Sequence, residues 1–284
     1  KIEKVNYAGW ENCIKISNNE VEIVVTTDVG PRIIHFGFSG GKNHLKIFEE
    51  EKGKTESEEW HSYGGHRLWH SPEEFPRTYD ADNFPCDYTL IENGLRIKSV
   101  MDPKVQVEKE MEITLCETGT QVEIKHIITN KNAWDIDFAV WPITVMAQGG
   151  REIIPQKTNG PKLLPNRTLA LWTYTKMNDP RVSWLENYIF LDQNPQINNA
   201  FKIGLPVTEG WAAYANFGQL FVKYFDFIED AMYPDFGYSS YETYTNNEIL
   251  EMETLSPIWT VSPSESIEHT EKWELFDNVL RPEN

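Results

Sequence analysis

Apolar residues recur at every second position along most of this chain, which is the period of a strand and not of a helix. Val21, Ile23 and Val25 alternate with Glu20, Glu22 and Val24. Val105, Val107, Met111, Ile113 and Leu115 share one parity, with Lys109 the lone polar interruption. YTLIENGLRIKSV reads as a hairpin, with Asn93-Gly94 supplying the positive φ angles of its tight turn. Further strands are expected at 122–129, 136–147, 220–225, 249–254 and 267–276. Pro, Gly and Asn break up most helical windows, and the one helix expected is short, within 181–190. With no repeat, low-complexity tract or linker, the expectation is all-β: one large antiparallel domain spanning 1–284.

At 284 residues, 40% hydrophobic and 13% aromatic, the chain can fill a large core. Its net charge, 26 − 44 = −18, repels nucleic acid and anionic lipid, favours a neutral or cationic small-molecule ligand, and serves mainly solubility. No apolar run approaches the roughly 18 residues of a membrane helix, and the start KIEKVNYAGWENC shows no hydrophobic signal segment. A cytoplasmic setting is expected, with a trimmed export signal left open. Cys13, Cys86 and Cys116 form no CxxC pair, which argues against a disulfide framework or a zinc knuckle. There is no P-loop, dinucleotide fingerprint or GxSxG elbow, so no cofactor and no metal are expected. The oligomeric state is open.

Chemistry concentrates in YGGHRLWHSPEEFPR, residues 63–77. Gly64-Gly65 permits close backbone approach or positive φ. His66 can exchange a proton near neutral pH and Arg67 can hold a hydroxyl or carboxylate in its planar fork. Trp69 offers an apolar face for a pyranose ring, and His70 stands beside it. His66 and His70 are spaced like helical metal ligands, but the glycine pair and Pro72 disfavour a helix there, which leaves His61, His66 and His70 meeting through a loop as the remaining metal alternative. A functional loop is the expectation, against the alternative of solvated histidines.

In NNEILEMETLSP, an extended strand puts Glu251 and Glu253 on one face and Leu250 and Met252 on the other. Adjacent carboxylates raise one another's pKa, which suits acid–base work, although a solvated strand face gives the same pattern. Trp141, in an apolar run, is a core residue by default and otherwise borders a cavity; Tyr238, Tyr241 and Tyr244 are candidates to line a groove. Arg32 and Asp235 are candidate ligand contacts, and His269, Glu271 and Trp273 share a face with a structural role expected.

The order of these pieces resembles the galactose mutarotase-like superfamily, the aldose 1-epimerases and their relatives. DVGPRIIHFGF resembles its early strand after a glycine turn. YGGHRLWHSPE is similar to its glycine-pair sugar-binding loop, and ILEMETLSP…VSPSESIEHTEKWELF to its C-terminal strand with the catalytic Glu, turn and final strand. The resemblance implies an antiparallel β super-sandwich with a carbohydrate in a concave groove, where a carboxylate takes the anomeric proton and a histidine protonates the ring oxygen. Glu251 matches that base best, with Glu253 a close competitor, and His66 and Arg67 fall at the sugar-binding loop. The family's mid-chain histidine has no counterpart in FAVWPITVMAQGG. The resemblance therefore implies either a sugar 1-epimerase using His66 as its acid, or a non-catalytic carbohydrate binder on the same fold. An oligosaccharide lyase or hydrolase, with Tyr63 and Arg67 as its local candidates, is a weaker third.

Overall fold

The computed structural model describes residues 1–79 and 82–283. Two antiparallel sheets contain every strand among them. The first runs from edge to edge as Ile2–Tyr7, Trp10–Ser17, Val21–Thr26, Arg32–Phe38, His66–Ser71, Ile136–Met146, Leu250–Thr254, Tyr241–Thr245, Phe201–Leu205 and Ala170–Leu171, with Trp259–Val261 pairing onto Ile136–Met146. The second runs Val182–Trp184, Tyr188–Asp192, Arg151–Pro155, Trp211–Asn216, Gln219–Phe225, Ser266–Asp277, Val122–Asn130, Val107–Leu115, Gly94–Lys98 and Asp87–Ile91. Among the described residues helix is confined to two single turns, Glu49–Glu51 and Pro234–Gly237.

Period-two patterning does what it predicts. Val107–Leu115 alternates buried and half-buried along its whole length, with Lys109 buried in the apolar column. Its buried face and those of its neighbours meet the first sheet in one continuous core. Phe36 of the first sheet lies 6.1 Å from Phe221 and 5.6 Å from Trp273 of the second, and Phe225 stacks on Tyr241 at 5.5 Å. The all-β sandwich expected from the sequence is the fold observed.

Two local expectations change. No helix forms within 181–190: VSW and YIFLD pair with each other at the sheet edge, as their β-branched and aromatic residues favour. In the hairpin, Ile91 faces Gly94, so the turn residues are Glu92 and Asn93, and Asn93 alone has positive φ.

Candidate functional site

Five adjacent strands of the first sheet carry the site on the face turned away from the second sheet. Register fixes which side chains meet. Arg67 lies opposite Ile143, Ile143 opposite Glu253, and Glu253 opposite Glu242. Trp69 faces Trp141, and a parallel row joins Val145, Glu251, Tyr244 and Lys202. The pleat therefore puts two tryptophans, three glutamates, an arginine and a lysine on one outer face.

Loops wall this face into a cleft of about 370 Å³. Trp60, from the end of the acidic excursion, packs edge-on against Trp69 and Tyr79. Tyr79, whose hydroxyl donates to Glu73, comes from the segment after Pro72, and Tyr174 from the long connection before residue 182.

Both cations in the cleft are engaged. Arg67 Nη1 donates to Glu251 Oε1 at 3.0 Å, and its guanidinium lies 4.7 Å from the Trp69 ring. Lys202 Nζ sits 2.9 Å from both Glu253 Oε2 and Glu242 Oε2, and 4.9 Å from the rings of Trp141 and Trp172. Burial penalises the Lys202 ammonium, but its two carboxylate partners outweigh that and hold it well above the ordinary lysine range.

Glu253 is the most constrained of the carboxylates. Oε2 accepts from Trp141 Nε1 and Lys202 Nζ, each at 2.9 Å, whereas Oε1 is buried with no hydrogen-bond partner among the described residues. Burial raises its pKa to about 6, with Lys202 pulling down and Glu251 pushing up. Arg67 Nε and Trp60 Nε1 are likewise buried and unpartnered among the described residues. One acceptor and two donors around one cleft suit a ligand that both gives and takes hydrogen bonds.

The histidines go elsewhere. GGHRLWHS is not a loop: residues 66–71 form a strand deep in the sheet, so His66 and Arg67 point to opposite faces. His66 is wholly buried between the sheets, with Nδ1 2.8 Å from Thr144 Oγ1 and Nε2 2.7 Å from His126 Nε2. Burial, with His126 and Lys223 adding to it, drives its pKa well down. His70 also faces inward, against Phe138, and burial lowers it to about 3. Neither lines the cleft.

Arg32 is fully buried and braces the chain, donating to Ser62 O, Gly64 O and Asp82. Tyr238 is 58% exposed and outside the cleft, Tyr241 is inside the core, and Tyr244 lines the cleft. Tyr63 is buried, its hydroxyl on Asn83, which removes it from the lyase reading.

Behind the cleft, His66, His126 and Glu271 bring ligand atoms within 4.8 Å of one another. Glu271 is already engaged there, by Lys223 at 3.0 Å, Thr254 at 2.5 Å and Trp273 Nε1 at 2.8 Å. Lys223 supplies the cation this group needs, and its Nζ also reaches Thr144 Oγ1 and Met252 O. His269, bonded to Thr254, completes a buried polar network.

Sequence reasoning missed Lys202, Trp60, Tyr79 and Tyr174. Lys202 does alternate with Phe201 and Ile203, but a single lysine in a short apolar run carries no sign of two carboxylates opposite it.

No protein-family model matches the chain, and no curated protein matches it in sequence. Solved structures do match in shape. A galactose mutarotase-like protein from Lactobacillus casei superposes with a TM-score of 0.62 at 11% identity, over 93% of this chain and 100% of that one. A putative aldose 1-epimerase from Escherichia coli gives 0.53 at 12% identity, over 92% and 98%. The fold is galactose mutarotase-like. A TPR-domain containing protein from Parabacteroides distasonis matches at 0.62 and 12% identity over 94% of this chain, which spans 47% of that longer one. In this mutarotase-like sandwich, the cleft lies on the outer face of the larger sheet and the buried histidines lie between the sheets.

Proposed function

We propose that the cleft binds a monosaccharide and that Glu253 exchanges the anomeric proton, making the protein a sugar 1-epimerase-like isomerase. The observation that carries this is the split character of Glu253. One oxygen is anchored by Trp141 and Lys202, and the other is buried, unpartnered and at the cleft. A carboxylate fixed in this way, with pKa about 6, is ionised at neutral pH and still basic enough to accept a proton. The indole and phenol walls suit the apolar faces of a pyranose, and the three unpartnered polar atoms, Glu253 Oε1, Arg67 Nε and Trp60 Nε1, suit its hydroxyls. The likeness in shape to a putative aldose 1-epimerase supports the same chemistry.

In this reading Glu253 Oε1 takes the anomeric hydroxyl proton as the bond between C1 and the ring oxygen breaks. The ring oxygen takes a proton from water and the aldehyde turns; on reclosure the freed hydroxyl attacks the other face of the aldehyde, returning its proton to the hydroxide, while Glu253 gives the anomeric oxygen its proton back. Lys202 stays protonated and steadies the carboxylate. Glu251, tied to Arg67, orients the sugar and does not act as the base.

One observation favours the second reading, binding without catalysis. No histidine lines the cleft among the described residues, and burial pushes the Tyr79 and Tyr174 phenols up and away from acid duty.

Exchange NMR on a panel of hexoses and pentoses separates the two. Wild type should accelerate anomer interconversion for at least one sugar, and Glu253→Gln should lose roughly 100-fold of that acceleration, the low end for a positioned general base. Saturable binding with no acceleration for any sugar would establish the binding protein instead.

A further inference from the structure

The two cations of the cleft are already paired with carboxylates. Arg67 is committed to Glu251, and Lys202 is shared between Glu242 and Glu253. Against Arg67 and Lys202, four lining residues are carboxylates: Glu73, Glu248, Glu251 and Glu253. A phosphate or carboxylate entering here would meet paired cations and unpaired acids. The carboxylate of Glu248, at the mouth, makes no ion pair or hydrogen bond among the described residues, and Glu73 has only the Tyr79 hydroxyl.

The deep end asks for a donor. Glu253 is fully buried and its Oε1 is unpartnered beside the cleft. That oxygen is left for the anomeric hydroxyl, and an ammonium elsewhere in the cleft gains from the surrounding carboxylates, since charge-assisted hydrogen bonds are about twice as strong as neutral ones. The walls are suited to the same charge, because indole and phenol faces attract ammonium groups. The protein already seats one ammonium this way, with Lys202 held 4.9 Å from two indole rings.

Resting on the reading of the cleft as a sugar site, we propose that its ligand is a cationic amino sugar, a hexosamine whose amino group is free. The ammonium meets the acidic lining, and the remaining hydroxyls engage Arg67 Nε and Trp60 Nε1, the two buried donors without partners. Burial and the neighbouring Glu251 charge raise Glu253 to about 6, and an incoming cation opposes that rise.

The test is calorimetric titration of the whole chain at pH near 6.5 with glucosamine and galactosamine, glucose and galactose, N-acetylglucosamine, and glucose 6-phosphate. At least one amino sugar should bind about tenfold tighter than its neutral parent. N-acetylation, which removes the charge, should abolish the gain, and glucose 6-phosphate should not compete. Glu248→Gln, an exposed change, should cut amino-sugar affinity several-fold and leave the neutral parent unaltered. Equal or tighter binding of the neutral parent, or tight binding of the phosphate, overturns the proposal while leaving the sugar site standing. Failure of every sugar to bind overturns the sugar site and this inference together.

Discussion

Glu253 works, in the proposed reaction, through the one of its oxygens that no described residue holds. Its pKa of about 6 sets a window: the carboxylate is the base, so it acts above that value and is lost below it. Protein-dependent anomer exchange should rise through pH 6 and level off by pH 7.5, following one ionisation, once the solvent-catalysed rate is subtracted. A profile flat across that range would remove Glu253 as the base. The same residue marks what could be read in advance. Glu251 and Glu253 were legible as a pair on one strand face, because parity alone decides it. Which of the two is free was not, since that depends on Arg67 and Lys202, one from 184 residues and one from 51 residues away in the chain. His66 misleads for a related reason. Beside Arg67 in a loop it would share a site, but beside Arg67 in a strand it cannot.

At the scale of the element, the strand His66–Ser71 exists where it does because of the glycine pair before it. Both glycines have positive φ, and both pass against backbone. A Cβ on Gly65 would stand 2.2 Å from Ile33 O, and one on Gly64 2.0 Å from Lys46 O. From sequence alone the pair signals close approach to a ligand or a positive φ; the φ is positive, and the close neighbour is the protein's own backbone. Gly40 provides the contrast, with nearly the same φ and nothing within 4 Å of an added Cβ. Gly40→Ala should therefore cost only about 1 kcal/mol, the left-handed backbone penalty. Gly65→Ala should cost about 3 kcal/mol or more, since the strand must shift to clear a carbonyl. Urea unfolding of both variants checks the difference, and equal losses would show that conformation alone, without contact, selects glycine at 65. Elements this regular are visible in the sequence because a strand half-buried on each side repeats its pattern. The connections are not, and they bring Trp60, Tyr79 and Tyr174 to the cleft.

At the scale of the whole molecule, the two sheets are joined by polar contacts as well as by apolar ones. Lys223 and Glu271 of the second sheet reach Thr144, Met252 and Thr254 of the first, directly behind the cleft. Glu152 of the second sheet accepts a 2.5 Å hydrogen bond from Tyr241 of the first, and the Thr243 hydroxyl lies beside its buried carboxylate. Burial drives the Glu152 pKa to about 8, with the Tyr241 and Thr243 hydroxyls opposing only part of the rise. Below the unfolded value, near 4.5, both states carry the proton, and the proton-dependent stability is fully present. As pH rises from there to about 8, the unfolded chain gives up the proton that the folded one keeps. Folding then requires proton uptake, and stability falls throughout that interval; above about 8 both states are ionised and the loss is complete. The gap between the two values corresponds to roughly 5 kcal/mol in total, of which about 2–3 kcal/mol falls between pH 6 and 8. Glu152→Gln preserves the shape and the acceptor for Tyr241 but cannot ionise. Its stability should decline over that range by about 2–3 kcal/mol less than that of wild type, measured as unfolding free energy in urea at each pH. Parallel curves for the two proteins would mean that Glu152 is ionised in the folded state at neutral pH, with its charge accommodated between the sheets by Lys223.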